Sequence, residues 1–163
     1  MFHFVKGGHI QSLIHALKYR SQSQVGIGLG REYGRMLAAS YGEQRPDLII
    51  PVPLHPKKKH KRGYNQAACF GQGLSESLQI PMAEHFLVRA VYQTSQTHKG
   101  RLERFQNVLA AFKAKNLNQL SGKHVLLVDD VLTTGATLEA CAIQLQEAMD
   151  IKVSMATIAI VQL

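Results

Sequence analysis

Hydrophobic positions along this chain follow two periods. Val125, Leu126, Leu127 and Val128 are consecutive apolar residues, the pattern of a strand buried on both faces and so of a central strand in a parallel sheet. Asp129 and Asp130 are expected to end it. Leu138, Cys141, Leu145 and Ala148 then recur at three- and four-residue steps, which predicts a long helix reaching about Asp150. Earlier, Ile10, Leu13, Ile14 and Leu17 predict a first amphipathic helix ending near Ser21. A glycine-punctuated step from Gly26 to Gly30 leads into a second helix through Tyr33, Leu37 and Ala38. Asp47 to Val52 reads as a short strand whose hydrogen-bonded part ends at Ile50, because Pro51 has no N–H. A helix through Ala67, Phe70, Leu74 and Leu78 follows, with Asn65 as its cap. Residues 81 to 88 read as a strand or extended link. Val153 to Val161 form a last strand whose mixed pattern suggests a place nearer the sheet edge.

Strand, loop and helix thus repeat, and the expected fold is α/β: one open, mainly parallel sheet flanked by helices, a single domain over residues 1–163. A chain of 163 residues that is 45% hydrophobic suits one core. Nineteen basic against 11 acidic residues give +8, which favours phosphates, nucleotides or nucleic acid as partners without choosing among them. Cys69 and Cys141 have no CxxC neighbour and read as buried thiols of a reducing compartment. No stretch approaches the roughly 18 apolar residues of a membrane span, so a cytoplasmic protein without membrane insertion is expected.

The chemistry concentrates in His124 to Glu139, HVLLVDDVLTTGATLE. A strand, a loop of Thr133, Thr134, Gly135, Ala136 and Thr137, and a helix start make a phosphate cradle. Loop amides and first-turn N–H groups point at an anion, and threonine hydroxyls add donors. Two carboxylates beside a phosphate would repel it unless they handle sugar hydroxyls or a Mg²⁺ that brings the charges together. A lone DD pair is more often a strand-end turn before a Thr cap. The whole string LLVDDVLTTGATL favours a sugar phosphate. It holds neither a P-loop nor a G-x-G-x-x-G fingerprint.

This string resembles the phosphoribosyl-pyrophosphate (PRPP) signature of type I phosphoribosyltransferases. The resemblance implies that Asp129 and Asp130 contact the ribose hydroxyls, and that Leu132 to Thr137 hold the 5′-phosphate.

Upstream, PVPLHPKKKHKRGYNQ packs Lys57, Lys58, Lys59, Lys61 and Arg62 into six positions. Basic runs are usually solvated, but this one follows the C-terminal end of a predicted strand, where α/β folds gather ligands. Arg31 and Arg35 read as surface charges. His55 and His60 have cationic neighbours, which opposes a metal site. Residues 51–66 resemble the corresponding segment of the ComF family, phosphoribosyltransferase-like proteins linked to DNA uptake in natural competence. Tyr64 stands where that family has phenylalanine. The resemblance makes Pro53, Leu54 and His55 the pyrophosphate loop, with Arg62 or a nearby lysine such as Lys61 as the charge contact.

Arg89 to Phe112 has almost no apolar clustering until Val108 and many hydroxyl, amide and basic groups, unusual for a compact domain and typical of a functional loop. The ComF pattern is matched at Arg89, Thr94, Gln96, Thr97, Arg104 and Asn107, while Gly100 departs from it. In phosphoribosyltransferases this position is a flexible hood whose closure excludes water from PRPP.

The implied ligand is Mg-PRPP, or another sugar phosphate, with phosphoribose passing to an unknown nitrogenous acceptor. Asp129, Asp130 and Arg62 are the implied catalytic set, and Mg²⁺ enters mainly through PRPP. Many ComF proteins carry a four-cysteine zinc module; with two cysteines, no zinc is expected here. An accessory role remains open, binding PRPP, a nucleotide or single-stranded DNA without catalysis. So does nucleobase salvage. Competence proteins and a second copy of the chain are further candidate partners.

Overall fold

A computed structural model describes residues 2–4, 22–42, 44–90 and 107–161. The expected first helix and hood residues Thr94, Gln96, Thr97 and Arg104 lie outside the described residues. Four parallel strands form the main sheet in the order β1-β6-β5-β2, with β1 at Phe2–Phe4, β2 at Leu48–Pro51, β5 at His124–Leu132 and β6 at Lys152–Val161. A separate antiparallel ribbon pairs β3 (Leu87–Arg89) with β4 (Phe112–Ala114). Arg89 faces Phe112 in that pairing, so the ribbon brackets the polar segment between them.

The apolar run at the start of β5 lies between β2 and β6, as its sequence predicts. Its side chains alternate between two cores. Val125 and Leu127 join Ile50, Phe86, Phe112 and Leu120 on one face, with Leu138, Cys141, Leu145 and Ala148. Leu126 and Val128 join Ile49, Phe70, Leu74, Leu78 and Ile158 on the other. The first of these faces carries α4 (Ala136–Leu145) and the second α3 (Gln66–Leu78), outside which α1 (Ser23–Tyr41) packs.

Several expectations need correction. β5 does not stop before the carboxylates: it continues to Leu132, with Asp129 opposite Thr157 in the ladder. β2 includes Pro51, and the Val52 N–H still donates to the Val128 carbonyl at 2.8 Å. Proline is tolerated because the Ile49 N–H, two residues earlier, points away from β5 to the Pro81 carbonyl. The missing N–H of Pro51 faces that same outer side.

β6 is an interior strand. Its mixed pattern arises because only Ala159, Ile160 and Val161 meet β1, whereas exposed Met155 and Lys152 have β5 alone among the described residues. The glycines at 26, 28 and 30 do not precede a helix; they lie inside α1. Gly30 and Gly73 let α1 and α3 cross at backbone distance, since a Cβ on Gly73 would lie 2.0 Å from the Ile27 carbonyl oxygen. Finally, α4 ends at Leu145, and turns carry the chain through Asp150, which has a φ of 52°.

Candidate functional site

The register Pro51↔Val128 decides the site. It brings the residue after β2 beside the carboxylates of β5, joining two motifs that are far apart in sequence. Where β2 ends, Pro53 and Leu54 lead into α2 (Pro56–Arg62), so the basic run is a short helix rather than a loop. Pro56 occupies its first turn, as suits a residue without an N–H. The His55 ring Nδ1 accepts from the Lys57 N–H at 3.2 Å. Partial desolvation and the cations Lys57, Arg89 and Lys58 lower the His55 pKa, favouring the neutral ring that such a bond requires. Gly63 closes α2 with a φ of 82°.

A helical run of lysines has faces. Lys58 and Arg62, four residues apart, share one face and line a cavity of about 260 Å³. Its walls also include Pro53, Leu54, Asn65, Gln66, Arg89, Asp129, Asp130, Thr133 and Thr137. Lys57, His60 and Lys61 are exposed instead.

Asn65 joins the parts. Its Nδ2 donates to the Val52 carbonyl at 2.9 Å and its Oδ1 accepts from the Ala67 N–H at 3.2 Å, capping α3. Gln66 is 2% exposed, and its Oε1 accepts from Arg62 Nη1 at 3.1 Å.

Within β5 the Asp129 carboxylate accepts from the Asp130 N–H at 2.8 Å. Arg89 is half-buried, with its guanidinium 5.0 Å from the centre of the Phe112 ring. Burial lowers its pKa, while nearby Cys141 and Asp129 act in the opposite direction. Burial, with Asp129 close by, pushes the Cys141 thiol far up, so it stays protonated and is no nucleophile. α4 begins after Gly135, at a φ of 81°, and no side chain caps it among the described residues. Its first-turn N–H groups therefore open beside Thr133 and Thr137.

The cavity thus brings together Asp129, Asp130, Pro53, Leu54, Arg62, Arg89, Thr133 and Thr137 from the sequence reading. Thr134 is exposed and Ala136 half-buried beside them. Leu132 and Gly135 line a different hollow, of about 490 Å³, with Leu138, Ile143 and Met155. His55 lies at the α2 cap, Lys61 is on the outside, and Asn107 is half-buried in a helical turn at 107–110. The structure adds Lys58 and Gln66 to this set. The i, i+4 spacing of Lys58 with Arg62 is the signal that would have found the lysine. Arg31 pairs with Glu76 at 2.5 Å and Arg35 with Glu32, both on the surface. Among the described residues, no three His, Cys, Asp or Glu side chains gather into a site that could hold a metal ion.

An open parallel sheet with two carboxylates and a loop of small and hydroxyl residues at its C-terminal edge defines a class. Residues 65–160 match the phosphoribosyl transferase domain, and the chain belongs to that family. Within it, the ComF resemblance is borne out by competence-associated relatives. The chain is 34% identical over 139 residues to Competence protein F of Haemophilus influenzae, covering 80% of this chain and 61% of that protein. It is 32% identical over 133 residues to DNA utilization protein YhgH of Salmonella typhimurium, covering 80% and 58%. The chain therefore spans about three-fifths of the length of these curated relatives. Among solved structures, adenine phosphoribosyltransferase from Saccharomyces cerevisiae aligns with a TM-score of 0.53 at 16% identity, over 85% of this chain and 68% of that one. Glutamine PRPP amidotransferase from B. subtilis aligns with a TM-score of 0.53 at 22% identity, over 82% and 26%. These two likenesses establish the fold. No helix among the described residues is long and apolar enough to cross a membrane.

Proposed function

We propose that the cavity binds Mg-PRPP and that the protein serves DNA uptake as a phosphoribosyltransferase-like component, transferring phosphoribose to a nitrogenous acceptor. The observation that carries this reading is one cavity walled by Asp129, Asp130, Thr133, Thr137, Lys58 and Arg62. Each charge has a use. Asp129 and Asp130 orient the ribose hydroxyls, Thr133 and Thr137 with the open start of α4 receive the 5′-phosphate, and Lys58 and Arg62 face the pyrophosphate. Two carboxylates, with no third acidic ligand among the described residues, fit a Mg²⁺ that arrives with phosphate and water oxygens completing its shell. When bound, that ion would spread the charge of the pyrophosphate. Arg62 and Lys58 would stabilise charge on the departing group, and positioning would do much of the rest without a covalent protein nucleophile.

Calorimetric titration of Mg-PRPP into the native protein and into Asp129→Asn/Asp130→Asn tests the reading. Saturable binding that the double substitution abolishes supports it and warrants a screen of acceptors for pyrophosphate release. No binding by the folded native protein rejects it.

A second reading rests on the outer face of α2, where Lys57, His60 and Lys61 are exposed. That face suits the backbone of single-stranded DNA, alongside or instead of the sugar-phosphate role, and relatives named for competence and DNA utilization favour it. It predicts affinity that falls steeply with salt.

A further inference from the structure

We propose that Gln66 is a positioning residue: its buried amide fixes the Arg62 guanidinium towards the carboxylate cavity and so sets the affinity of that cavity for anions. The inference rests on the reading of the cavity as an anion site. It goes beyond that reading by assigning a role to a neutral residue that need not touch the ligand.

The geometry is specific. Arg62 is the last residue of α2 and Gln66 the first of α3, with the left-handed turn at Gly63 between them. An arginine at the end of a seven-residue helix has four side-chain torsions to settle, and losing that freedom on binding weakens any contact it makes. Gln66 Oε1, 3.1 Å from Arg62 Nη1, removes part of that freedom beforehand. The amide is itself held, because Gln66 is 2% exposed beside Asn65, which ties the start of α3 to the Val52 carbonyl. Both side chains border the cavity with Asp129 and Asp130.

Residue type matters as much as place. A carboxylate at position 66 would hold the guanidinium as well, but would add a negative charge to a cavity wall that already carries two aspartates. A neutral amide orients the cation without opposing an incoming anion. Arg31 and Lys59, which do not line this cavity, contact Glu76 and Glu84.

The test is a double-mutant cycle read by calorimetry with two probes, Mg-pyrophosphate and Mg-PRPP. Four proteins enter it: native, Gln66→Asn, Arg62→Gln and the double variant. Asparagine keeps the polarity but is one methylene too short to hold Arg62. Gln66→Asn is expected to weaken pyrophosphate binding about tenfold in the native background, and less than twofold when Arg62 is already glutamine. Equal losses in both backgrounds would mean that Gln66 acts on the ligand or the fold directly, and would overturn the proposal. So would no loss, or a folded native protein that binds neither anion. Pyrophosphate binding that shows the coupling, without PRPP binding, would reject the PRPP reading and leave the role of Gln66 standing. Should Gln66→Asn fail to fold, Gln66→Met, similar in length and without the acceptor, replaces it in the same cycle.

Discussion

Asn65 holds the Val52 carbonyl at 2.9 Å with one end of its amide and the Ala67 N–H at 3.2 Å with the other. One buried side chain thus fastens the chain leaving β2 to the start of α3. Replacing it with alanine removes a helix cap and leaves a buried carbonyl without that donor. Asn65→Ala is expected to cost about 2 kcal/mol of stability in urea unfolding. A loss below about 0.5 kcal/mol, within the range of an ordinary surface change, would mean that the link carries no structural weight.

The α1–α3 crossing makes a second prediction, in which two glycines respond oppositely. A Cβ on Gly73 would meet the Ile27 carbonyl oxygen at 2.0 Å and the Arg31 nitrogen at 2.7 Å, and backbone atoms cannot swing aside. Gly73→Ala should therefore force the helices apart and cost roughly 2–3 kcal/mol. Gly28 lies in the same α1 with nothing within 4 Å of its would-be Cβ. Gly28→Ala should stabilise by about 0.5–1 kcal/mol through lower chain entropy in the unfolded state. Thermal melts of the two variants moving the same way would refute this account of the crossing.

What the sequence revealed depended on whether a residue's neighbours were local. The β5 run and the α4 face were legible because Val125–Val128 and Leu138, Cys141 and Leu145 carry their own periods. The succession of strand, loop and helix start through Thr137 was legible because the three are contiguous, although β5 runs on past the aspartates to Leu132. The step from Gly26 to Gly30 misleads because glycine signals a break in isolation, and only the backbone of α3 explains why Gly30 sits inside α1. The basic run conceals its helix for a similar reason: a segment without apolar residues has no hydrophobic period, so nothing in it shows that Lys58 and not the expected Lys61 lines the cavity. Pro51 looked like a strand end because its outward-facing side becomes visible only once β2 is paired with β5.

His124 makes stability depend on pH at the opposite end of β5. Its ring meets Ser154 Oγ at 2.7 Å, and its backbone N–H donates to Asp47 Oδ2 at 2.8 Å. Burial lowers the His124 pKa below its ordinary 6.5, Lys152 adds to this, and the Gln44 and Arg45 backbone and Asp47 oppose it. The folded state thus binds this proton less readily than the unfolded chain. The contribution of His124 to stability is complete above pH 6.5 and is lost as pH falls through the lowered folded value. Urea midpoints measured between pH 7.5 and about 5 should fall with acidification, and His124→Gln should flatten that slope. An unchanged slope in the variant would remove His124 as its source.

The two faces of α2 separate the two readings of function. Lys58 lines the carboxylate cavity, whereas Lys57 and Lys61 are exposed on the outside of a helix only seven residues long. If the inner face serves a pyrophosphate, Lys58→Gln should weaken Mg-PRPP binding by roughly five- to tenfold, the loss of one charge-assisted contact. It should leave the salt dependence of any nucleic-acid binding almost unchanged. If the outer face follows a DNA backbone, Lys57→Gln/Lys61→Gln should reduce the slope of log affinity against log salt for single-stranded DNA by about 1.4, at about 0.7 per phosphate contact. Mg-PRPP binding should stay within about twofold of native, because these two charges are exposed to solvent and do not line the cavity. Titrating both ligands into both variants gives four numbers. A crossed pattern assigns the inner face to the sugar phosphate and the outer face to the polyanion. Loss of both activities in both variants would mean that α2 forms one undivided anion surface, and the division of its faces would be wrong.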